Sequence, residues 1–251
     1  MNNLSKGLKT AVLLSFLALY ISIFWTGFGK AIPAGASLTT LATDFGPNST
    51  ADSRTDSGGT ITTINLDTVQ QNPGWKAYIG NITGSLVLRN ANDQSIYEWA
   101  LADDALSGNV FITRSNDVNW TPIKCANSSD IATEDLALGF AASASDNLNR
   151  TFNYTAHQSM TISGIGTING NTCRSTATWV NDTVQIVSNT SSFQEILLHD
   201  TVNLVYGTFI DQDSLGFDGN DTNGITHDFQ IIVGDPKNAT DLTYYFYADI
   251  S

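Results

Sequence analysis

From Gly59 to Ser251, short β-branched and aromatic runs alternate with clusters of Gly, Asn, Asp and Ser, a punctuation that leaves room for little besides β-structure. The clearest run is LTYYFYADI, residues 242–250. In an extended backbone it places Leu242, Tyr244, Phe246, Ala248 and Ile250 on one face and Thr243, Tyr245, Tyr247 and Asp249 on the other. A strand so strongly patterned belongs inside a sheet. Further strands are expected at 60–69 (TITTINLDTV), 76–79, 85–89, 95–101, 109–114, 158–163, 175–180, 193–199, 203–210 and 228–233. Within 95–101, Tyr97, Trp99 and Leu101 alternate with Ile96, Glu98 and Ala100, so the aromatic face is expected to point inward and Glu98 outward. One short helix is expected over 128–138, capped by Ser129 or Asp130 and ended by Gly139. The class is all-β, a sandwich or a barrel.

The N-terminal part behaves differently. Residues 1–36 carry Lys6, Lys9 and Lys30, no acid, and the apolar stretch AVLLSFLALYISIFWTGF, followed by the small residues Ala34, Gly35 and Ala36. This is the layout of a signal peptide cleaved before Ser37. Two other readings stay open: a retained membrane anchor, and a pilin-type leader cut after Gly7. Residues 37–58 follow as SLTTLATDFG, apolar enough for a strand at Leu38, Leu41 and Phe45, and then a turn-rich connector. Such a segment either folds back on its own domain or completes the sheet of a neighbour. Residues 59–251 then form one β-domain.

Composition narrows the partners. The whole chain carries a formal charge of −13, and removal of the leader leaves eight basic against 24 acidic residues. That excess disfavours nucleic acid. Cys125 and Cys173 are the two cysteines, and in an exported chain one disulfide between them is the default. Its loop-closure contribution is about 4 kcal/mol. Ten Asn-X-Ser/Thr sequons, at Asn48, Asn81, Asn119, Asn127, Asn149, Asn153, Asn181, Asn189, Asn220 and Asn238, point to N-linked glycans on the outer surface.

Catalytic residues are not evident, and no enzymatic activity is expected. His157, His199 and His227 read as structural or surface histidines, since the dipeptides His199-Asp200 and His227-Asp228 put their side chains on opposite faces of a strand. Glu98, Glu134 and Glu195 show no spacing that marks a glycosidase pair. Asp211, Asp213, Asp218 and Asp221 offer oxygen ligands to Ca²⁺, but the spacing is not that of an EF-hand and the same residues are what turns use. Trp75, Trp99, Trp120 and Trp179 read as core rather than as a sugar-binding platform.

A leader, SLTTLATDF as donor strand, a loose connector, a β-domain with one disulfide, dense sequons and the terminal strand TYYFYADI together resemble the exported subunits of donor-strand filaments. These are the chaperone-usher-type pilins, the thread-like and bundling pili of archaea, and pilus-like glycosylated fibrils of related build. The resemblance implies an Ig-like β-sandwich with an N-terminal donor strand, anchored by Leu38, Leu41 and Phe45, and no cofactor besides glycans. It implies a head-to-tail homopolymer at the cell surface that meets the membrane only through its leader. Two other expectations stand beside it, a surface adhesin that binds glycans and a surface-layer glycoprotein.

Overall fold

The computed structural model describes residues 32–46, 50–101, 106–211, 214–217, 225–236 and 241–251. The apolar leader therefore lies outside the described residues, as do Asn48, Asp213, Asp218, Asn220, Asp221 and Asn238. The chain is mainly β. In order, its strands are β1 (Ala34–Gly35), β2 (Trp75–Gly80), β3 (Ser85–Arg89), β4 (Ser95–Ala100), β5 (Gly108–Thr113), β6 (Lys124–Cys125), β7 (Met160–Ile162), β8 (Gly166–Ile168) and β9 (Ser175–Ala177). They continue as β10 (Gln194–His199), β11 (Leu204–Phe209), β12 (Ser214–Leu215), β13 (Thr226–His227), β14 (Phe229–Gly234) and β15 (Tyr245–Ile250). Helices span Ser128–Ala137 and Leu148–Thr151.

Seven strands form one antiparallel sheet in the order β1-β15-β5-β11-β10-β6, with β9 also paired to β10. Its centre is buried on both faces, and successive residues enter different cores. Ile112, Leu197, Leu204 and Tyr206 join Phe152, Ile231 and Val233 on one side. Phe111, Ile196, Leu198 and Val205 join Trp120, Met160 and Ile162 on the other. Central strands therefore read as nearly continuous apolar runs, VFI, ILL and LVY, instead of alternating. Gly207 serves this packing, because a Cβ there would lie 3.2 Å from the Phe111 ring.

The β2–β14 pair packs over the first of these faces. The free edge of β14 is closed by side chains instead of a strand. Thr208 Oγ1 shares its O–H between the carbonyls of Gln194 (2.9 Å) and Gln230 (3.2 Å), Ile232 N–H donates to Glu195 Oε2 (3.0 Å), and Gly234 N–H donates to the Tyr206 hydroxyl oxygen (3.3 Å). The Tyr244 hydroxyl donates to the Gly234 carbonyl. At three alternate residues of β14 a backbone group on the edge away from β2 is thereby given a partner, as buried backbone groups require.

Three local expectations are corrected. Residues 60–69 form no strand: Ile61, Ile64 and Leu66 are 100, 58 and 89 % exposed. Their β-propensity is high, but a strand must pair with another strand, and among the described residues no ladder includes them. The helix starts one residue before Ser129 and is capped by Asn127, whose side chain accepts from the N–H groups of Ser129 and Asp130. Asp130 returns the contact to the Asn127 N–H, a capping box in which aspartate stands where glutamate is usual. Gly139, at φ 74°, ends the helix as expected. Last, Tyr97 and Trp99 do not face inward. They stand exposed on β4, with ring centroids 4.7 Å apart.

Candidate functional site

The most distinctive surface lies at the β15 edge of the large sheet. β15 is fixed from behind by its full pairing with β5, from Tyr245↔Thr113 to Ile250↔Gly108. Ser107 and Ser251 exchange backbone hydrogen bonds at its end (3.2 and 2.9 Å). Its side chains are anchored on both faces. Phe246 packs edge-on against Tyr78 with centroids 4.9 Å apart, the Tyr247 hydroxyl donates to the Ser115 carbonyl (3.1 Å), and Asp249 Oδ2 accepts the Ser163 N–H (2.8 Å). Tyr244, just before the strand, is buried, and burial first and the Glu134 charge second push its phenol far above the usual range.

The outer edge of this rigid strand has a short cover. β1 pairs as Ala34↔Ala248 and Gly35↔Tyr247, and Ala36 N–H donates to the Phe246 carbonyl at 2.9 Å. Beyond Ala36 the backbone leaves the strand. A groove of about 300 Å³ opens there, lined by Gly35, Ala36, Leu38, Asn116 and residues 244–247. Leu38 reaches its rim but is 62 % exposed, while Leu41 and Phe45 are 93 and 74 % exposed. In a regular extended backbone Leu41 and Phe45 share one face and Leu38 takes the other. No residue of 37–46 is in a strand.

This cover bears on the expected cleavage. A cut between Ala36 and Ser37 would sever β1 from the domain that it pairs with, leaving the backbone of β15 at 246–248 without that partner. An edge strand with free N–H and C=O groups is a template for strand addition.

The other expected site residues are placed as follows. Cys125 and Cys173 form a disulfide, Cα–Cα 4.9 Å, that ties β6 to the loop before β9. Asn81, Asn119, Asn127, Asn149, Asn153, Asn181 and Asn189 are all exposed, so each side chain can be reached by a glycan-transferring enzyme. Asn149 sits within the helix Leu148–Thr151, and Asn127 uses only its Oδ1 for the cap, leaving Nδ2 for a glycan. Asp211 is half-buried and its N–H donates to the Asp228 carbonyl (2.8 Å). It is the one member of the Ca²⁺ candidate set within the described residues, among which no group of three or more His, Cys, Asp or Glu side chains is placed to hold a metal.

His157 is fully buried. Its Nδ1 donates to the Gln158 carbonyl (2.7 Å) and its Nε2 accepts the N–H groups of Thr172 (3.1 Å) and Cys173 (2.9 Å). The ring is therefore neutral, and burial lowers its pKa. His199 lies 3.8 Å from Asp130, and His227 contacts the Phe217 carbonyl at 3.1 Å. Glu98, Glu134 and Glu195 occupy an exposed hairpin, a helix and a central strand. Glu134 grips the Arg114 guanidinium through two hydrogen bonds of 2.9 and 2.5 Å. Of the tryptophans, Trp120 is core, Trp75 is half-buried, and Trp99 and Trp179 are exposed, which corrects the expectation of core for the last two.

Sequence reasoning weighed Glu195 only as a catalytic carboxylate and did not foresee its burial. It is 0 % exposed, its Oε2 accepts one backbone N–H, and its Oε1 meets no partner among the described residues. Desolvation therefore raises its pKa well above the ordinary carboxylate range. Its position inside FQEILL, a run that is otherwise apolar apart from Gln194, is the signal that could have found it. Comparison with family models, with curated proteins and with solved structures finds no match to this chain.

Proposed function

We propose that this protein is the structural subunit of an extracellular, N-glycosylated filament, polymerised by insertion of its N-terminal strand into a neighbouring copy. The observation that carries this reading is the pairing of two incomplete features at one place. Leu38, Leu41 and Phe45 are exposed, and Leu38 lies at the rim of the groove along an edge strand whose cover is three residues long. Removal of the leader before Ser37 takes that cover away. Residues 37–45 of the next subunit then supply the hydrogen bonds that Gly35 and Ala36 gave up, with the groove at Tyr244 and Phe246 receiving an apolar side chain. The donor and acceptor surfaces differ, so the contact is head-to-tail and generates a fibre instead of a closed dimer.

In this reading the domain is an Ig-like sandwich whose two sheets are the seven-stranded sheet and the β2–β14 pair. Its partner is another copy of the chain, its location is the cell surface, and its only covalent additions are glycans on exposed asparagines. No catalytic role is assigned. Deletion of residues 37–45 from the secreted chain tests it, with negative-stain electron microscopy as the readout. Soluble monomers are expected, and filaments of normal appearance after the deletion would rule out strand donation.

A further inference from the structure

Two features of the chain remain uncovered once the β15 edge is accounted for. The first is the β3–β4 hairpin, a separate two-stranded sheet with register Leu86↔Trp99, Val87↔Glu98 and Leu88↔Tyr97. Residues directly opposite share a face, so Leu86, Leu88, Tyr97 and Trp99 form one continuous apolar surface, and all four are exposed. A lone two-stranded hairpin is marginal in water and needs a third strand or a packed face. The second feature is the segment 60–68, rich in β-formers, in no strand and exposed along its length.

These two features complement each other. In an extended backbone Ile64 and Leu66 fall on one face of the segment, with Thr60, Thr62 and Thr68, while Asp67 falls on the other. Laid along the outer edge of β3, the segment continues the surface of Leu86 and Leu88 with Ile64 and Leu66. Asp67 then shares the opposite face with Val87 and Arg89. Laid along the edge of β4, the same aspartate would stand next to Glu98, a like charge. Charge therefore selects the β3 edge. Within one chain the two are separated by residues 69–84, which include β2, held along its length by β14, and neither surface covers the other.

We infer that segment 60–68 of one copy adds as a third strand to the β3 edge of another copy's hairpin, a second self-contact alongside the proposed contact at β15. This rests on the self-assembly reading but uses different residues, so the two can fail separately. The test mixes full-length Leu66→Cys chains with full-length Leu86→Cys chains and applies a short bismaleimide before denaturing electrophoresis. Both positions are exposed, so neither variant disturbs the core, and both native cysteines are held in the disulfide. A covalent dimer in the mixture, absent from either variant alone, is expected. In a Leu66→Cys/Leu86→Cys double variant, a bridge within single chains and none between chains would overturn the inference. So would filaments that form normally without any dimer band. A dimer band in material that never forms fibres would leave the hairpin contact standing and remove the filament reading.

Discussion

Glu195→Gln isolates the energetic consequence of a carboxyl that is 0 % exposed and has an oxygen without a partner among the described residues. The neutral acid fits its site, with Oε2 accepting the Ile232 N–H, whereas the ionised form would place a charge between two sheets with an unpartnered oxygen. Its folded pKa is raised well above the ordinary value of 4.5. A group raised in this way contributes its full stability below the unfolded pKa and loses it as pH climbs toward the folded pKa. Each pH unit above 4.5 over which the native state holds a proton that the unfolded chain has lost costs about 1.4 kcal/mol. Glutamine imitates the neutral acid and carries no such dependence. The variant should match the parent at pH 4 and exceed it at pH 7, by a margin that grows by up to about 1.4 kcal/mol for each pH unit. Urea unfolding of assembly-deficient monomers at both pH values, followed by the fluorescence of buried Trp120, measures the difference. His157 titrates in the opposite sense, its stability being lost as pH falls, but it is common to both proteins and cancels in the comparison. A difference that does not change with pH, or a variant less stable at pH 7, would refute the reasoning.

Replacing both Cys125 and Cys173 by Ala should lower unfolding free energy by about 4 kcal/mol, measured by chemical denaturation against the parent without reductant. At Asn127, cap and sequon can be separated. Asn127→Ser keeps an oxygen to accept the Ser129 and Asp130 N–H groups while abolishing the sequon, and Asn127→Ala removes both. The alanine variant should be about 1 kcal/mol less stable than the serine variant in thermal melts, while intact mass shows the same glycan loss in each.

Much of the local structure was legible because it depends on neighbours in sequence. The bounds of β3 and β4, the disulfide partners, the glycine that stops the helix, and the two faces of the last strand all follow from turn residues, a count of two cysteines, and a period of two. Where reading failed, the missing quantity was tertiary. Residues 60–69 have the composition of a strand, yet β-structure requires a partner from elsewhere in the chain, and composition does not supply one. In β4 the period separates Tyr97 and Trp99 from Glu98 correctly, but it does not say which face is covered, and here neither is. The central strands expected at 109–114, 193–199 and 203–210 are strands, but a sheet buried on both faces loses the alternation that would say which residues enter which core.

What the sequence by itself determined is the β-class, the residues that share a face, the single covalent cross-link and the asparagines open to glycans. Only the tertiary structure decided that β15 lies next to the sheet edge, that its cover comes from Ala34–Gly35, that Leu41 and Phe45 stand exposed among the described residues, and that Glu195 is sealed between sheets. The physical reason is the same for each. Side-chain alternation is a property of one strand, whereas strand order, edge exposure and desolvation arise from hydrogen bonds and packing between segments far apart in the chain.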